Sequence, residues 1–347
     1  MNDLIKNQWY AAVSSKDLKP EKMLSLEIMG DPVLFFRKTT GEVSAVRDIC
    51  PHRGIPFKYG RIVNDMVECP YHGWKFDGSG VCREIPSLTE TQKEKLDCTK
   101  IKVRSFQVQE RYGCIWIFMG DAQFDQTKGP KPPTLGDMDL DTQPNMIQVE
   151  TFDCHIDHAV IGLMDPAHGA YVHKSRLWRN EKSTYEKHKA FGPVDYGFQM
   201  KRHQPSSNSK AYKIFGGAPT TEITFRIPGN RVEHVQMGSR YFFTVTGLMP
   251  INEKKTQIIQ LSYWNMPWLT LFKPFIRSFA DNFLWQDIDA VTKQQEGLKY
   301  DPNLMLINDA DTQAKWYYSL KKEWFDSAEQ KREFQNPVRD TVLSWKS

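Results

Sequence analysis

The chain has 347 residues, of which 40% are hydrophobic, 12% aromatic and 25% charged. At roughly 150 residues per domain that length suits two globular domains, and the aromatic content excludes a disordered chain. A net charge of only +4, from 46 Lys and Arg against 42 Asp and Glu, argues against nucleic acid as a partner.

The opening stretch MNDLIKNQWYAAVSS lacks the basic-then-apolar order of a signal peptide. No run of about 18 apolar residues occurs, so no membrane-spanning helix is expected. The expected location is the cytoplasm, where the six Cys stay reduced and serve as buried small residues or metal ligands. Residues 8–120 read as short strands. Apolar runs fall at 24–28, 33–37 and 43–47, with Thr39, Thr40 and Gly41 as a turn. Gly78, Ser79 and Gly80 separate two further candidates in a hairpin pattern, and 115–119 reads as a buried closing strand. An all-β domain over 1–120, with its core at 8–118, is therefore expected. Residues 121–145 are rich in Pro, Gly and Asp and predict a linker.

From 146 to 347 the pattern is mixed. Helical spacing at 157–172 is followed by successive antiparallel strands over 196–265, a helix at 268–296 and a last charged helix at 309–323. The expected fold class is α+β, with an all-β first domain and a second domain built on an antiparallel β-sheet flanked by helices.

Two groups of residues carry chemistry. Cys50, Pro51 and His52 give C-x-H, and sixteen residues later Cys69, Pro70, Tyr71 and His72 give C-x₂-H. Structural zinc also takes two Cys and two His, but its usual spacing sets Cys with Cys and His with His. One Cys and one His per loop suits a [2Fe–2S] cluster whose first iron takes both thiolates and whose second takes both imidazoles, as in Rieske centres. Separate core cysteines and surface histidines are the plainer alternative. Pro after each Cys, with Gly54 and Gly73 beside the histidines, weighs against it.

The second group lies in GLMDPAHGAYVHKS, which supplies His168 and His173 with Asp165 one turn earlier. Fe(II) that must bind O₂ is held by two His and one carboxylate on one face. On a regular helix a five-residue spacing sets the imidazoles about 140° apart, so the helix must bend, as Pro166 and Gly169 permit. His155 and His158 are weaker rivals for a ligand place. For the carboxylate, SFADNFLWQDIDAVTKQQ offers Asp287, which shares an apolar stripe with Phe283 and Val291, and Asp281 is held in reserve.

CPHRG at 50–54 and CPYHGWKF at 69–76 resemble the N-terminal domain of Rieske non-haem iron oxygenases. Respiratory Rieske proteins carry an additional Cys in each loop, where this chain has Gly54 and Tyr71. The D-x-x-H-x₄-H wording and the pairs Gln286, Asp287 and Gln294, Gln295 are similar to the same family. The resemblance runs from Asn7 to the C-terminal helix, and is nearest the single-subunit branch of vanillate and dicamba demethylases. It implies a Rieske domain joined to a helix-grip, START-like catalytic domain. By it, Cys50, His52, Cys69 and His72 hold the cluster, and His168, His173 and Asp287 hold mononuclear Fe(II). Asp165 matches the acidic residue that bridges to a cluster histidine of an adjacent subunit, which implies a head-to-tail homotrimer. The Asn often found shortly before that Asp has no counterpart in 160–164.

No G-x-G-x-x-G fingerprint appears, so electrons from NAD(P)H would arrive through a separate reductase or ferredoxin. Arg53, Lys58, Arg61, Lys75 and Arg83 flank the cluster loops and suggest a docking face for it, or a solvated basic surface. The implied activity is hydroxylation, dihydroxylation or oxidative demethylation of a hydrophobic ring compound with O₂ as co-substrate, monooxygenase or demethylase chemistry being favoured. Aromatics including Phe215, Tyr263 and Trp285 are candidate pocket walls. A Rieske electron-transfer protein, or a ligand-binding protein with no working iron site, is the competing reading.

Overall fold

The computed structural model describes residues 3–121, 124, 129–173, 184–205 and 218–347. Parts of the expected linker (122–123 and 125–128), Lys174, Ser175 and Phe215 lie outside the described residues. The chain divides into two compact units, Lys6–Thr142 and Met1–Ile5 with Gln143–Ser347.

The first unit is all β apart from short helical turns. Gln8–Ser14, Cys114–Met119 and Val108–Arg111 form a three-stranded antiparallel sheet. Met23–Ile28, Asp31–Arg37, Val43–Arg47 and Ser105–Phe106 form a four-stranded one, in which Val33, Leu34, Phe35 and Phe36 are all fully buried. Four short strands, Arg61–Val63, Met66–Glu68, Lys75–Phe76 and Cys82–Glu84, make the third sheet. Its first hairpin turns on Asn64 and Asp65, both with positive φ, the backbone a two-residue hairpin turn demands. The anticipated hairpin at Gly78–Gly80 is present, closed by Asp77 Oδ1 accepting from the amides of Ser79 and Val81. Residues beyond 121 still pack on this unit. Trp9 Nε1 donates to the Pro130 carbonyl at 3.0 Å, and the Leu135 amide donates to the Tyr112 hydroxyl at 3.2 Å.

The second unit is built on an eight-stranded antiparallel sheet. Its order is Met146–Phe152, Lys255–Trp264, Arg240–Asn252, Asn230–Met237, Thr220–Arg226, Gly197–His203, Glu186–Val194 and Thr341–Lys346. Among the described residues, three helices of nine or more residues accompany it: Ile156–Met164, Lys273–Leu298 and Thr312–Glu329.

The sequence expectations need three adjustments. Helix 157–172 ends at Met164, because Pro166 pushes Asp165 into extended backbone. The helix expected at 268–296 is two, Pro267–Leu271 and Lys273–Leu298, broken at Phe272 where Pro274 opens the second. Glu186–Val194 and Thr341–Lys346 were not anticipated as strands. They pair with each other, Thr341–Lys346 at the sheet edge and Glu186–Val194 between it and Gly197–His203, and their mixed sequences leave little alternation to read.

Candidate functional site

Two sites stand out, one in each unit. In the first unit, the two Cys-His loops fold alike. The Cys50 amide donates to Ile55 O and the Gly54 amide to Cys50 O, each at 2.9 Å. In the second loop Cys69 N donates to Trp74 O at 2.8 Å and Gly73 N to Cys69 O at 3.1 Å. Gly54 and Gly73 occupy matching positions with φ of +76° and +70°, left-handed values that favour glycine. The repeated geometry explains why two short motifs present the same pair of side chains.

Both thiols are buried and belong to the apolar cluster that includes Phe57, Val67 and Phe76. Both imidazoles lie at the surface end, with ring centroids 4.6 Å apart. Trp74 stacks flat on His52 at 4.6 Å, and Tyr71 covers His72 at 4.0 Å. Burial pushes the Cys50 thiol up to about 11, and the neighbouring Cys69 adds to the effect. Desolvation, with His52 and Arg53 nearby, pushes the His72 imidazole down towards the neutral, ligating form. His72 Nδ1 is buried with no hydrogen-bond partner. An orphaned imidazole nitrogen beside two buried thiols fits a group that takes two S and two N donors, and a [2Fe–2S] cluster is such a group. The basic residues around these loops are largely matched by acids. Arg61 pairs with Glu68, Lys75 with Glu84 and Arg83 with Asp77, while Arg53 lies over the Tyr71 ring.

The second unit holds the other site. Helix Ile156–Met164 ends at Asp165, whose Oδ1 accepts from the Ala167 amide at 2.7 Å and so starts a new turn. A 3₁₀ turn, His168–Ala170, follows, and His173 lies just beyond it. Because the two histidines sit on a turn and its exit, the 140° separation of a regular helix does not arise. Asp287 comes from the long helix, on the stripe that also buries Leu284 and Val291.

Three side-chain atoms converge. His173 Nε2 lies 3.1 Å from His168 Nε2 and 3.0 Å from Asp287 Oδ1, and His168 Nε2 lies 3.4 Å from the same oxygen. Donors about 2.1 Å from a shared ion, on one face of an octahedron, stand about 3.0 Å apart, so the set fits a divalent metal. Burial alone would raise the Asp287 carboxyl, but hydrogen bonds from His168 and His173 outweigh it and hold it below the carboxylate range. The His168 imidazole is raised in turn, the Asp287 charge outweighing its burial.

Neighbours fix both rings. His173 Nδ1 faces Gln286 Oε1 at 3.0 Å, and Phe283 stacks on the ring at 3.5 Å. An Nδ1–H directed at Gln286 leaves Nε2 as the nitrogen that faces the other two side chains and that would ligate once it loses its proton. His168 Nδ1 points towards Asp165 Oδ2 at 3.7 Å. The partnership of Gln286 with His173 was not anticipated from sequence, although a polar residue beside an inward carboxylate was its visible sign.

The remaining candidates go elsewhere. Asp281 accepts from the Gln148 amide at 2.7 Å, away from the triad. His155 caps helix Ile156–Met164 through Nδ1, while Nε2 meets Asp3 at 3.1 Å. Asp3, His155 and Asp157 also cluster, but Lys321 Nζ already contacts Asp157 at 2.6 Å and Asp3 at 3.0 Å. That ammonium supplies the positive charge a metal would bring. His158 is on the same helix, and desolvation pushes its imidazole down.

The three converging atoms open onto a cavity of about 270 Å³ whose wall is one face of the sheet. Alternate residues supply it. Phe198 is in register with Phe225 and Met200 with Ile223, forming an apolar half. Arg231 is in register with Thr246 and Glu233 with Thr244, forming a polar half.

Residues 8–106 match the Rieske [2Fe-2S] domain. The chain is 33% identical over 178 residues to chlorophyllide a oxygenase, chloroplastic, of Chlamydomonas reinhardtii, covering 50% of this chain and 25% of that protein. It is 32% identical over 219 residues to the oxygenase component of dicamba O-demethylase from Stenotrophomonas maltophilia, covering 62% of this chain and 61% of the relative. The matched segments thus span between a quarter and about three-fifths of these curated relatives. Among solved structures, dicamba monooxygenase bound to dicamba superposes with a TM-score of 0.72 at 23% identity, covering 93% of this chain and 98% of that one. The first unit is a Rieske domain, and the chain has the fold of dicamba monooxygenase.

Proposed function

We propose that this chain is a terminal oxygenase in which Cys50, His52, Cys69 and His72 hold a [2Fe–2S] cluster and His168, His173 and Asp287 hold Fe(II). When bound, the cluster supplies one-electron transfer, and the iron supplies O₂ activation for hydroxylation or oxidative demethylation of an apolar ring compound. One observation carries this reading: the two Nε2 atoms and Oδ1 of the triad converge where the cavity opens. An electron carrier, or a plain ligand-binding protein, needs no such donor set beside a ligand-sized space.

The chain's own groups then have distinct tasks. Gln286 keeps the His173 proton on Nδ1, and Phe283 keeps that ring from rotating. Phe198, Phe225, Met200 and Ile223 give an apolar ring a dry wall, and Thr244 and Thr246 offer hydroxyls to a polar substituent. A separate reductase, alone or with a ferredoxin, would draw electrons from NAD(P)H. The absence of a dinucleotide fingerprint and the "oxygenase component" wording of the dicamba relative support this. A homotrimer in the cytoplasm completes the reading. Within it the half-exposed Asp165 carboxylate, 3.7 Å from His168, would reach a cluster histidine of the next subunit.

The test pairs the purified protein with a surrogate NAD(P)H reductase and a panel of methoxylated and methylated ring compounds under ¹⁸O₂. Labelled product, abolished by His168→Ala while the cluster's visible absorption persists, is the expected result. Turnover that survives His168→Ala would remove the triad from the mechanism.

A further inference from the structure

We propose that the substrate of the second unit's cavity carries a hydroxyl on its ring, bound between Thr221 Oγ1 and His203 Nε2. This rests on the proposed function only in taking that cavity as the substrate's place. Thr221 is 4% exposed and lines the cavity, and its Oγ1 is buried with no hydrogen-bond partner among the described residues. A buried hydroxyl left unpaired is costly, and native structures hold few of them. Side chains alternate along Thr220–Arg226. Thr221, Ile223 and Phe225 face the cavity, whereas Glu222, on the opposite face, pairs with Arg202 at 3.2 Å.

The neighbouring strand brings a histidine to the same place. On Gly197–His203, Phe198 and Met200 line the cavity, and strict alternation would next turn Arg202 inward. The register shifts between Met200 and His203, an irregularity that leaves Arg202 on the outer face and sends His203 to the cavity. His203 is thereby in register with Thr221. Directly opposed residues of antiparallel strands hold their Cβ atoms about 5 Å apart. His203 Nδ1 lies 2.9 Å from the Lys201 carbonyl, which can only accept, so Nδ1 carries the proton. Desolvation, with the Lys189 charge nearby, pushes the imidazole below its ordinary value, so the ring is neutral at pH 7. Its Nε2 is then an acceptor.

The two groups together define the ligand. A hydroxyl donates to Nε2 and accepts from Oγ1, pairing both. An ether oxygen has no proton for Nε2, a carboxylate sets its own lone pairs against it, and a bare ring leaves both groups unpaired. The pair also lies where a ring substituent would end. Ile223 and Met200, in register, belong to the apolar wall, and Thr221 is two residues, about 7 Å, further along its strand with His203 beside it. A ring resting on that wall thus points one end at a donor and an acceptor.

The test is isothermal titration calorimetry of the full chain with three probes that share one ring system: 2-naphthol, 2-methoxynaphthalene and 2-naphthoate. Wild type should bind 2-naphthol about tenfold more tightly, or better, than either of the others. Thr221→Val with His203→Phe should erase that preference while the affinity for 2-methoxynaphthalene holds, and each single substitution should give up part of it. Far-UV circular dichroism checks that the variants are folded, and the wild-type comparison of the three probes stands whether or not they are. No measurable binding of 2-naphthol, equal affinities for the three probes, a preference for 2-naphthoate, or a preference that survives both substitutions would overturn the proposal. Failure of the oxygenase reading would show in iron content and product formation, and would leave these affinities standing.

Discussion

Replacing Gln286 by Leu removes the acceptor that His173 Nδ1 faces at 3.0 Å. The ring is only 3% exposed and has Phe283 stacked on it, so water cannot easily replace the lost oxygen. Two outcomes then compete. Either Nδ1–H stays buried and unpaired, costing about 1–3 kcal/mol, or the proton moves to Nε2 and blocks the nitrogen that must ligate. Loss of such an outer partner typically weakens metal binding ten- to a hundredfold, about 1.4–2.7 kcal/mol. Gln286→Glu keeps an acceptor in place and should stay within a few-fold of wild type. The assay is anaerobic Fe(II) or Co(II) titration of protein with a loaded cluster, whose visible absorption serves as the internal control. A Gln286→Leu affinity within about twofold of wild type would refute the assigned role of the His173–Gln286 contact.

Three further outcomes follow from the same geometry. Asp165→Asn should retain both metal centres yet slow electron transfer between them, so unchanged single-turnover kinetics would remove the bridge. Lys321→Met leaves the buried Asp157 carboxylate to the Tyr317 hydroxyl, 2.6 Å away, and His155 Nδ1 at 3.6 Å, and should cost about 3–5 kcal/mol by denaturant unfolding; adding Asp157→Leu should recover much of that, and a cost below about 1 kcal/mol would show the pair is not structural. In the first unit, burial alone would raise the Glu110 carboxyl, but its bidentate pair with Arg37, at 2.7 and 2.8 Å, holds it below the usual carboxylate range. A depressed native pKa means its stabilisation is complete above about pH 4.5 and is lost as pH falls through the native value. Glu110→Gln should therefore flatten the acid limb of a stability-versus-pH curve, and an unchanged limb would exclude this pair as a source of acid lability.

What the sequence made legible depended on how local the signal was. The two Cys-His loops could be read because each Cys-His pair and its glycine lie within five consecutive residues, and the backbone closure is local too. Asp287 was legible through the helical period that buries it with Leu284 and Val291. The grouping of His168 with His173 was legible, but their local backbone was not, since Pro166 ends the helix through a steric effect that outweighs apolar periodicity. The edge strand Thr341–Lys346 stayed hidden because its one pairing spans about 150 residues of chain, and its neighbour Glu186–Val194 because its own pattern alternates little. The Gln286 contact with His173 and the Lys321–Asp157 pair are products of tertiary packing: the sequence marked Gln286 only by its place beside Asp287, and no local spacing announces the pair.

The central claim is that one chain holds both a cluster and a mononuclear iron. Iron and acid-labile sulfide per chain, measured on anaerobically purified protein with an EPR spectrum after dithionite, tests it most directly. About three irons, two sulfides and a Rieske-type signal are expected from the cluster plus the His168, His173 and Asp287 site. About two irons with the same signal, and no gain after Fe(II) is supplied, would contradict the account and leave an electron carrier in its place.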